Sequence, residues 1–274
     1  MICKHGSTLS RYMVIVVASD QHLGYANSNA ATFSSFLDDL AGRSDVEAFV
    51  ILGDWVDMWR RDVSGLFLQF NDILEKVLLL NKRIKVYCVA GNHDFHLLKL
   101  TDPGYPLTFT KDLTLQGNGV TYVLKHGWEF DLDQREPIME LLCYNFSDES
   151  GVVRSDVWDN LTRLGGDVDS FKELIDKHLG KDQYIQHLMS PPNVRFSGDY
   201  SDVEGRAISS VQPGQILVFG HTHRPFVNKE MNVANSGSWV SDEVVTNTYV
   251  ELDGTEVRIM RQGVGDITQQ VTRT

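Results

Sequence analysis

The sequence predicts an α/β protein: a four-layer α/β/β/α sandwich of two mixed sheets carrying a helical cap insertion. Three observations lead there. Short, nearly continuous apolar runs occupy residues 14–18, 48–52, 86–90, 120–124 and 216–219, and their length and valine content suit strands buried on both faces. Between the first three lie stretches with helical spacing, Phe33, Phe36, Leu37 and Leu40 in one and Phe67, Phe70, Ile73, Leu74, Val77 and Leu78 in the other. The order strand, helix, strand, helix, strand implies βαβ units and parallel pairing. Beyond residue 219 the pattern shortens to strand-like pieces at 232–234, 246–252 and 256–260, the last two joined by Asp253-Gly254 as a hairpin turn; these predict a second sheet packed face to face with the first.

Residues 131–205 read differently. Helical periodicity recurs at 138–144, 157–164, 171–179 and 184–189, broken by Gly165-Gly166 and Pro191-Pro192. The expectation is a helical cap at 131–205 inserted into a core of 13–130 and 206–262, with tails at 1–12 and 263–274. The composition is that of an ordinary globular chain, 42% hydrophobic and 23% charged over 274 residues. Lys plus Arg total 25 against 37 Asp plus Glu, a formal charge of −12. The predicted cap holds 7 of the basic and 16 of the acidic residues, so −9 of that charge lies there. Such a surface repels a phosphate backbone and disfavours nucleic acid as a partner. Cys3, Cys88 and Cys143 are odd in number and far apart, which argues against a disulfide framework and for a reducing compartment. No apolar stretch approaches the roughly 20 residues that span a bilayer, and the first twelve residues lack a signal-peptide core. A cytoplasmic location is expected, with peripheral membrane association left open.

Each of the five apolar runs ends at a cluster of metal-type ligands. These are Ser19-Asp20-Gln21-His22, Gly53-Asp54-Trp55-Val56-Asp57, Gly91-Asn92-His93-Asp94, His126-Gly127 and Gly220-His221-Thr222-His223. One such cluster is weak, because turns recruit Asp and Asn for their own hydrogen bonds. Five in succession are not, because the carboxyl ends of parallel strands share one edge where ligands bind. Carboxylate, imidazole and amide donors without thiolate suit Mn²⁺, Fe or Zn²⁺, and seven donors are too many for one ion. Two ions about 3.5–4 Å apart clamp the attacking and leaving oxygens of a phosphoryl centre in line. The expected chemistry is therefore hydrolysis of a phosphate ester by metal-bridging hydroxide, with Mn²⁺ the expected metal and Fe or Zn²⁺ the alternatives.

The ordered set D-x-H, G-D-x-x-D, G-N-H-D, H-G and G-H-T-H resembles the signature of calcineurin-like metallophosphoesterases and covers the chain from Val14 to about Met260 apart from the insertion. The resemblance implies that Asp20, His22 and His223 hold one metal and Asn92, His126 and His221 the other, with Asp54 bridging. It also implies that His93 contacts the scissile phosphate and protonates or stabilises the leaving oxygen, that Asp94 orients the His93 ring, and that Asp57 stands behind the metal ligands. Ser19-Asp20-Gln21-His22-Leu23-Gly24, Trp59 soon after Gly53-Asp54, the helical insertion and Gly220-His221-Thr222-His223-Arg224-Pro225 are similar to the branch that includes UDP-2,3-diacylglucosamine hydrolases. In that branch an arginine stands where this chain has His93 and an acidic residue where it has Trp128. These departures bear on a lipid-precursor substrate and leave the metal ligands intact.

The implied substrate is a small phosphorylated molecule, a nucleotide-sugar or lipid precursor among them, with mono-, diester and pyrophosphate bonds all open. Arg224, directly after the last motif, and Trp128 are the expected substrate contacts. Two rival readings remain: a non-catalytic protein-interaction scaffold, which would be expected to have lost metal ligands, and a nuclease, which the acidic insertion disfavours.

Overall fold

The computed structural model describes residues 14–100, 102–117, 119–130 and 200–273. The expected cap lies outside the described residues as far as 199. Strands β1 (Val14–Ala18), β2 (Val46–Leu52) and β3 (Lys85–Val89) pair in parallel, with crossovers through α1 (Ala30–Gly42) and α2 (Val63–Asn81). Both faces of these strands are covered, which is why their sequences do not alternate. Val14, Val16 and Ala18 of β1 pack with Phe33, Phe36, Ile73 and Val77 of the helices. Ile15 and Val17 point the other way and join Val50, Leu124, Val218 and Val250 between the sheets. Each fully buried aliphatic side chain contributes roughly 1.5–3 kcal/mol.

Helix α2 is capped by Asp62, whose carboxylate accepts from the Gly65 amide at 2.7 Å. Its backbone leaves helical geometry at Phe70 (φ −124°, ψ 23°), and its buried residues are Leu66, Ile73, Val77 and Leu80. That break shifts the phase of the apolar face, so Phe67, expected to face the core, is 60% exposed.

The remaining strands are β4 (Phe109–Thr110), β5 (Asp112–Gly117), β6 (Val120–Lys125), β7 (Gln215–Phe219), β8 (Phe226–Asn228), β9 (Val233–Asn235), β10 (Thr248–Asp253), β11 (Glu256–Arg261) and β12 (Gly265–Asp266). Two mixed sheets result, ordered β12-β11-β10-β1-β2-β3-β4 and β5-β6-β7-β9-β8. The sandwich is as expected, but strands are shared out differently. The late strands β10 and β11 join the first sheet, β10 antiparallel to β1, while β6 and β7 pair in parallel in the second. A doubly buried apolar run reports its burial and says nothing of which sheet it joins. The late hairpin pairs Asp253 with Glu256, so its two-residue loop is Gly254-Thr255, one position later than expected. Gly254 takes φ 59° there, a conformation that costs glycine least.

Helix α3 (Tyr200–Ser210) forms the fourth layer, packing Val203 and Ala207 on Leu217, Phe219, Phe226 and Val233 of the second sheet. It runs across residue 205, where the insertion was expected to end. Residues 263–273, expected as part of a tail, are bound to the body. β12 extends the first sheet, Ile267 is buried, and the Val227 amide donates to the Val271 carbonyl while the Arg273 amide donates to that of Val227. No helix among the described residues is long and apolar enough to cross a membrane.

Candidate metal centre

The five clusters sit on loops leaving the carboxyl ends of β1, β2 and β3 in one sheet and β6 and β7 in the other. Asp20, His22, Asp54, His221 and His223 all have positive φ, between 47° and 65°. Each such non-glycine residue costs of order 1–3 kcal/mol, so five together mark a site held by its surroundings. The loops brace one another: the Asp20 amide donates to the Gly53 carbonyl at 3.0 Å, His22 to Asp54 at 2.8 Å, and Gly220 to His126 at 2.8 Å. At Gly91 and Gly220 it is close approach that demands glycine. A methyl at 91 would lie 2.1 Å from Asp54 Oδ1, and one at 220 would lie 2.2 Å from Ser19 Oγ and 2.4 Å from Asp20 Oδ2.

The side chains converge. Asp20, His22 and His223 form one group with donor atoms all within 4.8 Å of one another; Asp54, His126 and His221 form another, and His22, Asp54 and His93 a third. Asp20 Oδ1 lies 3.2 Å from His223 Nε2, Asp54 Oδ2 lies 3.2 Å from His126 Nε2 and 3.6 Å from His22 Nε2, and His22 Nε2 lies 3.1 Å from His223 Nε2. Metal–ligand bonds of about 2.0–2.2 Å put neighbouring donors on one ion at similar separations. Beyond the contacts among these donors, Asp20 Oδ1, Asn92 Oδ1 and His126 Nε2 are buried with no hydrogen-bond partner. Buried polar groups are rarely left so unless they coordinate something. His126 Nδ1 meets the Leu52 carbonyl at 2.8 Å, which leaves Nε2 as its donor atom, as is usual for a metal-binding histidine. The residues present fit divalent metal ions.

The electrostatics agree. Burial pulls the His126 imidazole down, but Asp54 and Asp20 outweigh it and push its pKa up to about 10. Burial likewise opposes the Asp20 carboxylate, yet His126 and His223 bring it down to about 2. These buried carboxylates demand positive charge, which a proton or a cation can meet.

His93 is where the structure departs most from expectation. Its Nδ1 lies 3.0 Å from Asp57 Oδ1, so Asp57, and not Asp94, orients the ring. Asp94 instead accepts from the amides of Gly91 at 2.6 Å and Trp55 at 2.8 Å, tying two loops together. Burial and the charge of Asp54 push Asp94 up to about 7 against those amides. The second oxygen of Asp57 meets His22 Nδ1 at 3.1 Å and accepts from Arg60 Nη1 at 2.7 Å. The Trp59 ring stacks on His93 at 4.0 Å.

A cavity of about 210 Å³ opens over this centre, lined by His22, Asp54, Asn92, His93, His221 and His223 together with Tyr25, Arg60, Tyr200, Asp242 and Glu243. Arg60 flanks the Gly53-Asp54 motif, where the sequence offers it as a second-phosphate contact with a solvated surface position the preferred alternative; Tyr25, Tyr200, Asp242 and Glu243 carried no signal at all. Arg224 is exposed, with its guanidinium 5.1 Å over the Tyr200 ring, and so stands beside the rim. Trp128, the other expected substrate contact, is fully buried against Phe95 and is not among the residues lining the cavity. The turn after His126-Gly127 carries its indole into the core.

The chain is similar to several solved structures. A dimetal phosphatase from Danio rerio is 12% identical, with 93% of this chain and 98% of that chain covered and a TM-score of 0.48. A conserved uncharacterized protein from Streptococcus pneumoniae, described as a predicted phosphoesterase, is 16% identical, with 91% and 90% covered and a TM-score of 0.37. Vacuolar Protein Sorting 29 from Cryptosporidium parvum is 16% identical, with 90% and 89% covered and a TM-score of 0.39. No curated protein sequence matches the chain. Residues 13–225 match the profile of calcineurin-like phosphoesterases, a span that takes in all five clusters, and the chain belongs to the calcineurin-like phosphoesterase family.

Proposed function

We propose that the protein hydrolyses a phosphate monoester, diester or pyrophosphate bond with two divalent cations. Asp20, His22 and His223 would hold one, Asn92, His126 and His221 the other, and Asp54 both. The observation that carries this reading is the convergence of these donors beneath one cavity, with Asp20 Oδ1, Asn92 Oδ1 and His126 Nε2 buried and finding no hydrogen-bond partner outside the cluster. Mn²⁺ is the first choice by donor type, with Fe and Zn²⁺ as alternatives. When bound, the cations supply Lewis-acid polarisation of the phosphoryl group and a lowered pKa for water.

The remaining work falls to side chains. His93 lines the cavity, and because Asp57 engages its Nδ1, Nε2 is the atom that would deliver a proton to the leaving oxygen. Trp59 fixes the ring plane from one side. The cavity of about 210 Å³ is smaller than sites enclosing a drug-sized ligand, so it suits a phosphoryl group with the rest of the substrate lying outward past Tyr200 and Arg224. A nucleotide-sugar or lipid precursor would fit that division, and a cytoplasmic site of action belongs to the same proposal.

The test is cleavage of nitrophenyl phosphate with added Mn²⁺, alongside elemental analysis. Asp54→Ala and His221→Ala are expected to abolish metal-dependent cleavage. His93→Ala is expected to keep its metal and lose about 10²–10⁴-fold in turnover. Full activity in Asp54→Ala would refute the shared role of that carboxylate, and a wild-type protein that takes up no metal would favour a scaffold. A panel of nucleotides, nucleotide-sugars and phospholipid precursors then identifies the leaving group.

A further inference from the structure

Thr222 separates His221 and His223, and it is fully buried where they line the cavity. Both histidines hold positive φ, 65° and 59°, so something must keep this short segment in a conformation it would not choose. The hydroxyl of Thr222 accepts from Asn235 Nδ2 at 3.1 Å and donates toward Glu204 Oε1 at 3.5 Å. Asn235 Nδ2 also donates to the Gly220 carbonyl at 2.6 Å. Glu204 is buried on α3, beside Val203 and Ala207, which pack on the second sheet. An apolar side chain would pack there without desolvating a carboxylate. What Glu204 gains instead is Arg273, whose Nη1 donates to Oε2. The Arg273 guanidinium lies 4.1 Å over the Phe226 ring and its amide donates to the Val227 carbonyl at 2.9 Å.

We propose that Glu204 is a positioning residue for the metal centre: through Thr222 it fixes the strained segment that presents His221 and His223, and Arg273 supplies the counter-charge that holds it there. This rests on the reading of the two histidines as metal donors given above. One histidine falls in each donor group, so loosening the segment weakens the grip on both ions together. Residues behind metal ligands typically change metal affinity 10–100-fold when removed.

The experiment titrates Mn²⁺ into the chelator-stripped full chain by calorimetry, with amide hydrogen exchange on the same samples. Glu204→Ala, Arg273→Ala and Thr222→Val are each expected to weaken Mn²⁺ binding by about tenfold or more, with Arg273→Lys recovering most of the loss. Exchange at 220–224 should accelerate in the metal-free variants while the strands keep wild-type protection, which a merely destabilised fold would not give. Should Glu204→Ala fail to fold, the Arg273→Ala and Arg273→Lys pair decides, since that side chain is 43% exposed. Wild-type affinity in Arg273→Ala, or equal loss in Ala and Lys, overturns the proposal. If the wild type takes up no Mn²⁺, the metal reading is what fails. Exchange at 220–224 then decides alone: acceleration in Glu204→Ala supports the positioning role, and unchanged exchange overturns it.

Discussion

Asp57 receives three side chains at once: His93 Nδ1 on one oxygen, and His22 Nδ1 and Arg60 Nη1 on the other. Burial opposes its charge, yet His93 and His22 hold the carboxyl well below the ordinary range. A carboxylate whose pKa is lower folded than unfolded stabilises the protein above about pH 4 and loses that contribution as pH falls toward the folded value. In metal-free protein, Asp57→Asn is therefore expected to cost about 3–5 kcal/mol near neutrality, with the gap to wild type narrowing below about pH 4. Urea unfolding at pH 6 and pH 3 checks this, and a gap of equal size at both would locate the effect elsewhere. The metal-type donors could be read from the sequence because each follows a buried run directly. The partner of His93 could not. Asp94 is adjacent in sequence, but its oxygens are taken by the Gly91 and Trp55 amides, whereas Asp57 arrives from another loop. Trp128 misled for a related reason, since its place after His126-Gly127 does not reveal that the next turn faces inward.

Among the elements, the strand-end loops depend on backbone passing closely behind the carboxylates. Gly91→Ala would put a methyl 2.1 Å from Asp54 Oδ1, and overpacking of this kind costs about 1–3 kcal/mol. The expected result is lower stability together with Mn²⁺ affinity reduced at least tenfold, of the order seen when groups supporting a metal site are disturbed, read by thermal melts and calorimetry. Gly205→Ala is the matched control: it lies inside α3 with nothing within 4 Å of an added Cβ, and alanine favours a helix by about 0.8–1 kcal/mol. A slightly raised melting point and unchanged metal affinity are expected there. Central strands announced themselves because both their faces are apolar. Edge strand β5 did not: Asp112, Thr114 and Gln116 are exposed while Leu113 and Leu115 are only half-buried, so the apolar signal is thin. The antiparallel pairing of β10 with β1 was equally hidden, because hydrophobicity names no neighbour.

At the scale of the whole molecule, neither sheet holds a complete set of the proposed donors. Asp20, His22, Asp54 and Asn92 follow strands of the first, and His126, His221 and His223 follow strands of the second. Bound cations would tie the sheets across their shared edge. An ion present at a hundred times its Kd stabilises the folded state by about 2.7 kcal/mol, and for a chain this size each kcal/mol moves Tm by about 2–4 °C. Chelation is thus expected to lower Tm by roughly 5–10 °C in scanning calorimetry, and no shift on chelation would mean that no cation binds the folded state in preference to the unfolded one.

The Asp20 carboxylate accepts from the His221 amide across 201 residues of chain. Closing so long a loop adds to the entropy cost of assembling the site. During synthesis the early half displays its acidic donors long before the late histidines have left the ribosome. A cation met at that stage would find only part of the proposed donor set, since His221 and His223 stand late in the chain.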